Sequence, residues 1–426
     1  MSGLRFCLVT TFYPPYGFGG DAVHVRRLAE GLAERGHAVR VVHNPNAQRL
    51  LGGTPAPDVP DNAGIEVVAA PSGRLAGPET VATYLGGRAT GYRRRLAGLM
   101  AGFDVVHFHN PSLIGGPAAL HAGGATALRL YTTHEHWLIC PTHVLFRFGR
   151  EVCERRTCWR CTVAHGRPPQ LWRSTGVLPR AVAALDAVIC PSRFTAGLHR
   201  AEFPGARVEI MAPLFLPPAA ATEAEGERDA TGSRPYFLFA GRLEPIKGAD
   251  RLARAFGGVR GADLVVAGTG GQAAELESIA ARNPAIRLLG RVPHARVLEL
   301  ARGALALVVP SAGYETFGGA AVEAMGMGTP AVVRRIGPLP ELVDEGGGMS
   351  FGDDGELVEA LQRLVDDPAL ARRLGAEARR IARTRFADEV HFRQYFGLIA
   401  ELAGGRGLQR TAERARAAVE ALGPAA

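Results

Sequence analysis

Two glutamates, Glu315 and Glu323, stand eight positions apart in the segment PSAGYETFGGAAVEAMGMGTP, residues 310–330. A short apolar run before it, residues 304–309, predicts a buried strand, and Gly318 opens a stretch of good helix formers. The first amides of a helix have no partner within the helix and carry partial positive charge, so this helix start favours an anion. Because carboxylates accept hydrogen bonds from hydroxyls, the two glutamates could bind a sugar-bearing ligand. Two surface glutamates without such a role are the alternative.

The only lysine of the chain, Lys247, lies in a second candidate segment, AGRLEPIKGAD, residues 240–250. This segment also follows an apolar run and leads into a helical pattern. Every other position counted as Lys or Arg is Arg. A compact ammonium suits a phosphate oxygen better than a planar guanidinium does, so the retained lysine indicates an anion-binding role. Chance placement of a single lysine is the alternative.

Together these segments resemble the donor half of the retaining glycosyltransferases of family 4, which have the GT-B fold. In that family a G-R-[LF]-x(3)-K-G-x-[DE] motif supplies Arg and Lys to the diphosphate of a nucleotide sugar. An E-x(7)-E motif contacts the sugar with its first Glu and the ribose with its second. The positions that match here are Gly241, Arg242, Lys247, Glu315, Phe317, Gly318, Glu323, Gly328 and Pro330.

Length and composition agree with this resemblance, because 426 residues with 47% apolar and 21% charged side chains suffice for two globular domains. The resemblance implies an α/β protein with two Rossmann-like, doubly wound parallel-sheet domains that face a central cleft. We expect an acceptor-side domain over residues 1–213, a linker over 214–234, a nucleotide-sugar domain over 235–385, and C-terminal helices over 386–426 that partly pack back on the first domain.

The net charge of +8 suits an anionic ligand or an acidic membrane face. Nucleic acid is disfavoured, because the arginines form no basic stripe interleaved with aromatic residues. We expect a cytoplasmic protein, since no leader-like segment opens the chain and no apolar run reaches the ~20 residues of a membrane span. Peripheral contact with the inner membrane face is one interpretation of Arg88 and residues 93–95 on a predicted helix over 79–101, and a solvated helix face is the other.

In the predicted first domain, the loop after the first strand contains Gly19 and Gly20, which do not form a dinucleotide-binding fingerprint. In the resembled family this loop lies between the donor phosphates and the acceptor; a simple loop role is the alternative. His134 follows the predicted strand 128–133 and matches a family histidine beside the reacting sugar. A core or loop histidine is the alternative there. Glu135 could help to position the acceptor.

Two further positions are expected to approach the nucleotide. Gly268 ends the predicted strand 264–267, at the sheet edge where α/β proteins bind ligands. Val292 follows the predicted strand 286–289, in a stretch where the resembled family holds the base largely by backbone and packing.

Four of the six cysteines, Cys140, Cys153, Cys158 and Cys161, lie within residues 140–165. Their spacing fits a tetrahedral structural zinc, with His143 and His165 as reserve ligands. Unmetallated thiols and an iron–sulfur cluster are the alternatives. A site with four thiolate ligands has no open position, so we expect it to stabilise a loop rather than to catalyse.

These observations predict a retaining glycosyltransferase that moves a sugar from a UDP- or GDP-linked donor to a hydroxyl of a glycan, glycolipid or natural product. The expected catalytic residues are His134, Arg242, Lys247 and Glu315, and no catalytic metal is expected, because the basic residues and the helix start at Gly318 supply positive charge. The alternatives are a sugar phosphorylase or sugar-nucleotide epimerase of the same architecture, or a non-catalytic nucleotide-sugar-binding protein.

Overall fold

The computed structural model describes residues 3–17, 19–53, 64–216 and 234–423. The chain forms two compact units, of which the first comprises Met1–His143, Cys158–Leu214 and Asp388–Ala426, and the second comprises Val144–Thr157 and Phe215–Ala387. Most of the predicted linker, residues 217–233, lies outside the described residues. One segment differs from our expectation: residues 144–157 of the cysteine-rich loop belong to the second unit and not to the N-terminal domain.

The strands follow the apolar runs of the sequence. In chain order they are β1 (Arg5–Thr10), β2 (Ala38–His43), β3 (Ile65–Ala69), β4 (Val105–Asn110), β5 (Leu128–Thr132), β6 (Phe146–Arg147), β7 (Glu151–Val152), β8 (Ala187–Cys190), β9 (Val208–Ile210), β10 (Tyr236–Ala240), β11 (Asp263–Ala267), β12 (Ile286–Gly290), β13 (Ala306–Val309), β14 (Ala331–Arg334) and β15 (Gly348–Phe351).

Helices alternate with these strands through most of the described chain. They are α1 (Gly20–Glu34), α2 (Pro45–Leu50), α3 (Ala76–Gly86), α4 (Arg93–Leu99), α5 (Cys158–Ala164), α6 (Val177–Val182), α7 (Arg193–Glu202), α8 (Ala249–Ala255), α9 (Ala273–Ala280), α10 (His294–Gly303), α11 (Gly319–Gly326), α12 (Pro340–Val343), α13 (Asp354–Asp366), α14 (Pro368–Phe386), α15 (Asp388–Gly405) and α16 (Gln409–Ala421). Short 3₁₀ turns occur at Gly116–His121, Leu171–Ser174, Pro245–Lys247 and Phe256–Gly258. Among the described helices, none has the length and apolar character needed to cross a membrane.

The first unit is built on a seven-stranded parallel sheet in the order β3-β2-β1-β4-β5-β8-β9. Its central strand β1 is buried from Phe6 to Thr10, as expected for a parallel strand covered on both faces. The C-terminal helix α15 belongs to this unit, and Tyr395 stacks on Phe6 with ring centroids 6.0 Å apart. The chain end therefore contributes to the core of the first sheet.

The second unit has a six-stranded parallel sheet in the order β12-β11-β10-β13-β14-β15. Phe237 of β10 is fully buried and meets Phe256 edge to face. The antiparallel hairpin β6–β7 also belongs to this unit. Both sheets have the doubly wound topology, in which the strand order reverses between β1 and β4 and between β10 and β13. Ligands of such sheets bind at the carboxyl ends of the strands at that reversal.

Two local predictions in the first unit were wrong. The single helix expected over residues 79–101 is two helices, because Gly87 adopts a left-handed conformation (φ 67°) that ends α3. The polar sequence of residues 45–62, which contains Pro and Gly, predicts a loop, but α2 occupies its first six residues. Asn44 caps this helix by accepting a hydrogen bond from the Asn46 amide, and Pro45 takes the first helical position.

Gly248, which follows Lys247, joins the loops after β10 and β13. It has a φ of 68°, and a Cβ atom added there would lie 2.3 Å from the carbonyl oxygen of Pro310. The Ala312 amide also donates to the Ile246 carbonyl at 2.8 Å. Backbone contacts thus fix the position of Lys247 relative to the loop that follows β13.

Gly248→Ala should therefore destabilise the second unit by about 2 kcal/mol or more, because the new methyl group adds left-handed strain and displaces the Pro310 carbonyl. Thermal unfolding should show a fall in midpoint of roughly 4–8 °C. Gly257→Ala is the matched control, since its Cβ would meet no atom within 4 Å. Equal midpoints for the two variants would contradict the close contact.

Candidate active site

Lys247 and Glu315 form an ion pair at the carboxyl edge of the second sheet. The Lys247 Nζ atom lies 2.8 Å from Oε1 and 2.9 Å from Oε2 of Glu315. Ser311, which is almost completely buried, donates its hydroxyl to Glu315 Oε1 at 2.6 Å. Lys247 follows β10 and Glu315 follows β13, so the pair spans the point where the strand order reverses.

The environment of Glu315 keeps its carboxyl group ionised. Burial alone would raise the pKa, but the Lys247 charge and the hydrogen bonds from Lys247 and Ser311 lower it below the ordinary value. Arg242 adds to this effect. The Arg242 side chain is about half exposed and pairs with Glu244 at 2.8 Å. Two cationic side chains, Lys247 and Arg242, and two carboxylates, Glu315 and Glu244, therefore lie at this edge.

Helix α11 begins beside this pair. Its N-cap residue Gly318 has a φ of 107° and provides no side chain to cap the helix. Phe317 is buried against the rings of Phe215 and Phe386, so its aromatic ring anchors the loop before α11. Phe317 is one of the motif positions, for which the resemblance implies a place in the nucleotide-sugar site; that role stays a prediction.

The second motif glutamate, Glu323, lies inside α11 with 19% of its side chain exposed. Its Oε1 atom is 3.0 Å from Nε2 of His294, the exposed first residue of α10. Sequence reasoning missed His294, although it follows the predicted nucleotide-contact position Val292 by only two residues. Val292 itself is half-buried.

Glycines at strand ends let the loops of this edge pack closely. A Cβ atom at Gly268 would lie 1.8 Å from the Gly241 carbonyl oxygen, so Gly268 is required by backbone contact between the ends of β10 and β11. The Gly241 amide donates to the Ala267 carbonyl at 3.0 Å. Gly19 in the first unit is different, because its φ is extended and a Cβ would meet no atom within 4 Å. Gly20 is the first residue of α1.

Histidines cluster at the carboxyl edge of the first sheet. Nδ1 of His109 and Nε2 of His134 share a hydrogen bond of 2.9 Å, and the ring of His24 lies 4.7 Å from that of His134. The Leu214 amide donates to Nδ1 of His24 at 3.0 Å. Sequence reasoning found His134 but missed His24, whose helix α1 follows a different strand.

Burial keeps these imidazoles uncharged. Burial first, and neighbouring histidines second, together lower the pKa of His134 to about 3 and place those of His24 and His109 well below the ordinary value. His134 is therefore a neutral ring near pH 7. It can exchange hydrogen bonds with a hydroxyl group but supplies no positive charge.

In the part of the chain that the structure describes, His24, His109 and His134 are the one group of three or more possible metal ligands whose atoms all lie within 4.8 Å. The cysteines predicted to bind zinc are divided: Cys153 belongs to the second unit, and Cys140, Cys158 and Cys161 belong to the first. These latter three do not form such a group among the described residues. The zinc site therefore stays a prediction from spacing.

Comparisons with known proteins follow the two units. Residues 18–213 match the family model described as Glycosyltransferase Family 4, and residues 234–367 match the one described as Glycosyl transferases group 1. A glycogen synthase of Mycobacterium tuberculosis is 29% identical over 88% of this chain and 89% of its own. A D-inositol 3-phosphate glycosyltransferase of Catenulispora acidiphila is 34% identical over 43% of this chain and 50% of its own.

Solved structures with this fold include the sucrose-phosphate synthase of Thermosynechococcus elongatus, with a TM-score of 0.68, 21% identity, and coverage of 94% of this chain and all of that one. The Anabaena protein HepE, solved with UDP and glucose, has a TM-score of 0.62 and 17% identity, and the match covers 93% of this chain and all of HepE. The two Rossmann-like units agree with these matches, and both sequence motifs lie at strand ends of the second unit. The chain is a glycosyltransferase of the GT-B fold, in which residues 18–213 match the family 4 model and residues 234–367 match the group 1 model.

Proposed function

We propose that this enzyme transfers a glycosyl group, with retention of configuration, from a UDP-linked sugar to a hydroxyl group of an acceptor. The Lys247–Glu315 ion pair carries the proposal, because it joins an anion-binding cation and a hydroxyl-binding carboxylate at the ligand-binding edge of the second sheet. UDP is favoured as the nucleotide because HepE, which shares the fold, was solved with it.

The donor diphosphate would meet Lys247, Arg242 and the amide end of α11 at Gly318. These groups are fixed before the reaction, so they stabilise the negative charge that develops as the diphosphate departs. Glu315 would orient the sugar through its hydroxyls. Glu323, held by His294 at 3.0 Å, would accept hydrogen bonds from the ribose. Gly241, Gly268 and Val292 would line the remaining nucleotide.

The acceptor would attack on the same face of the sugar from which the diphosphate leaves. The bond between the anomeric carbon and the phosphate oxygen breaks, its electrons remain on the diphosphate, and the acceptor oxygen bonds to that carbon. The acceptor proton passes to the departing phosphate oxygen. His134, which is uncharged, would hold a sugar hydroxyl in place, and Gly19 and Gly20 would leave room beside it.

Lys247→Ala should lower kcat/KM for UDP-glucose by about 100-fold or more, because one preorganised cation is lost from the leaving-group site. The assay measures UDP release and sugar transfer across a panel of UDP- and GDP-linked sugars. Arg282→Ala is the matched control, since exposed Arg282 precedes β12 and lies at the opposite, amino edge of the same sheet.

Near-normal turnover by Lys247→Ala would overturn the donor-site assignment. Turnover of donor with phosphate as co-substrate would indicate a phosphorylase, and conversion of the donor sugar alone an epimerase. Donor binding without any reaction would indicate the non-catalytic alternative.

Lys247→Met should also lower the free energy of unfolding of the second unit by about 2 kcal/mol, because it leaves a buried carboxylate without its cation. The double variant Lys247→Met/Glu315→Gln should recover part of this free energy, because it removes the unpaired carboxylate as well. The measurement is urea unfolding followed by hydrogen exchange of the amides in β10 and β13. Since the folded pKa of Glu315 is lowered, the contribution of the pair is complete above the ordinary glutamate pKa and disappears as the pH falls through the folded value. If the difference in free energy of unfolding between wild type and Lys247→Met does not become smaller at acid pH, the stabilising role of the ion pair is contradicted.

For the cysteine-rich segment, the proposal from spacing is a structural zinc. Cys158 and Cys161 lie three positions apart at the start of α5, so they share one face of that helix. Metal analysis of the purified protein should find one zinc per chain, lost in Cys158→Ser/Cys161→Ser. Iron in its place would indicate a cluster, and absence of both metals would leave unmetallated thiols.

A further inference from the structure

The hairpin β6–β7 lies in the chain between β5 and β8 of the first sheet, yet it belongs to the second unit. Within that unit it packs against the loop after β13. We infer that Phe146 is a positioning residue of the proposed donor site, because its ring sets the spacing between the loops that carry Lys247 and Glu315. The inference rests on the proposed function, since it concerns the donor site of that reaction.

The ring of Phe146 reaches the backbone of Gly313, two positions before Glu315. Phe146 is buried, with 4% of its surface exposed. A Cβ atom added to Gly313 would lie 2.9 Å from Cδ2 of Phe146 and 2.6 Å from Cγ1 of Ile246. The aromatic ring and the side chain next to Lys247 therefore converge on the space that Gly313 leaves open.

The two loops are also joined by their backbones at this point. The amides of Ala312 and Gly313 donate to the Ile246 carbonyl at 2.8 and 3.3 Å. Gly313 has no side chain of its own to fill the contact, so the ring of Phe146 completes it. Since an ion pair that stabilises a departing diphosphate must be placed to within about 1 Å, the packing behind Lys247 affects the reaction.

The hairpin determines where this ring points. Phe146 is the first residue of β6 and pairs with Val152 of β7. Beside this pair, the Cys153 amide donates to the Leu145 carbonyl at 2.9 Å. The ring is therefore held by two paired strands rather than by a single extended segment.

The backbone around Phe146 is strained. Among the residues that the structure describes, the non-glycine residues with positive φ are His143 (74°), Leu145 (49°) and Phe148 (53°). All three lie within three positions of Phe146. Bulky side chains rarely adopt this conformation, and it persists where the surrounding structure enforces it, most often at functional sites. The strain therefore supports a role for this hairpin beyond connecting two elements.

Phe146→Ala should lower kcat about tenfold or more, because the loops lose the ring that spaces them and Lys247 is no longer aligned. KM should change less than kcat, since the contacts of the bound nucleotide remain. Phe146→Leu keeps an apolar side chain in the same space and should recover part of the loss. The assay measures nucleotide release from the UDP- or GDP-linked sugar that the wild type turns over fastest.

A double-mutant cycle separates positioning from a merely structural role. In the Lys247→Ala background, Phe146→Ala should lower kcat by less than about twofold, because a residue that acts through Lys247 has no effect once Lys247 is removed. A structural role would give the same fold loss in both backgrounds. Should Phe146→Ala fail to fold by circular dichroism, Phe146→Leu takes its place in the cycle under the same criteria.

Phe256→Leu is the control, since its buried ring belongs to the same unit and packs on Phe237 near the amino end of β10. It should lower the thermal unfolding midpoint but leave kcat within about twofold. Wild-type kcat in the Phe146 variants, or an equal fold loss with and without Lys247, overturns the inference. Near-normal turnover by Lys247→Ala alone overturns the proposed function instead.

Discussion

The ion pair between Lys247 and Glu315 is the interaction on which the second unit's site depends. A buried carboxylate is costly unless a cation and hydrogen bonds compensate it, and here Lys247 and Ser311 provide both. The pair forms only because the loops after β10 and β13 are held together, with Gly248 against the Pro310 carbonyl. An entering diphosphate would thus meet an ammonium already positioned by its carboxylate partner, which reduces the conformational cost of binding.

Much of the fold could be predicted because parallel strands buried on both faces appear as continuous apolar runs. The predicted strands 264–267 and 286–289 lie within β11 and β12 and miss only one residue of each. Strand β15 was missed because its sequence, Gly348–Phe351, contains little apolar surface and follows two glycines. The sequence analysis missed the break between α3 and α4. Gly87 ends α3 because it adopts a left-handed conformation, and the spacing of apolar residues carries no information about that conformation.

The site was predictable only in part, because motifs report neighbours in sequence and not partners in space. The sequence motifs identify Lys247 and Glu315 separately. Their ion pair joins residues 68 positions apart, and it can be inferred only once the order of the strands in the sheet is known. The partner of Glu323, His294, lies 29 positions away and carries no motif signal. His24 approaches His134 because α1 begins and β5 ends at the same sheet edge, a relation that no local sequence pattern contains.

The two units have different electrostatics at the carboxyl edges of their sheets. Lys247, Arg242 and the start of α11 lie at the edge of the second sheet, where the proposed diphosphate would need positive charge. At the first unit's edge, burial removes the charge of the histidines. The net charge of +8 therefore describes neither edge, since it averages over arginines elsewhere, including Arg40, Arg335 and Arg380, which pair with glutamates at the surface. Where a site binds hydroxyl groups through hydrogen bonds alone, its selectivity follows from whether each buried donor and acceptor finds a partner.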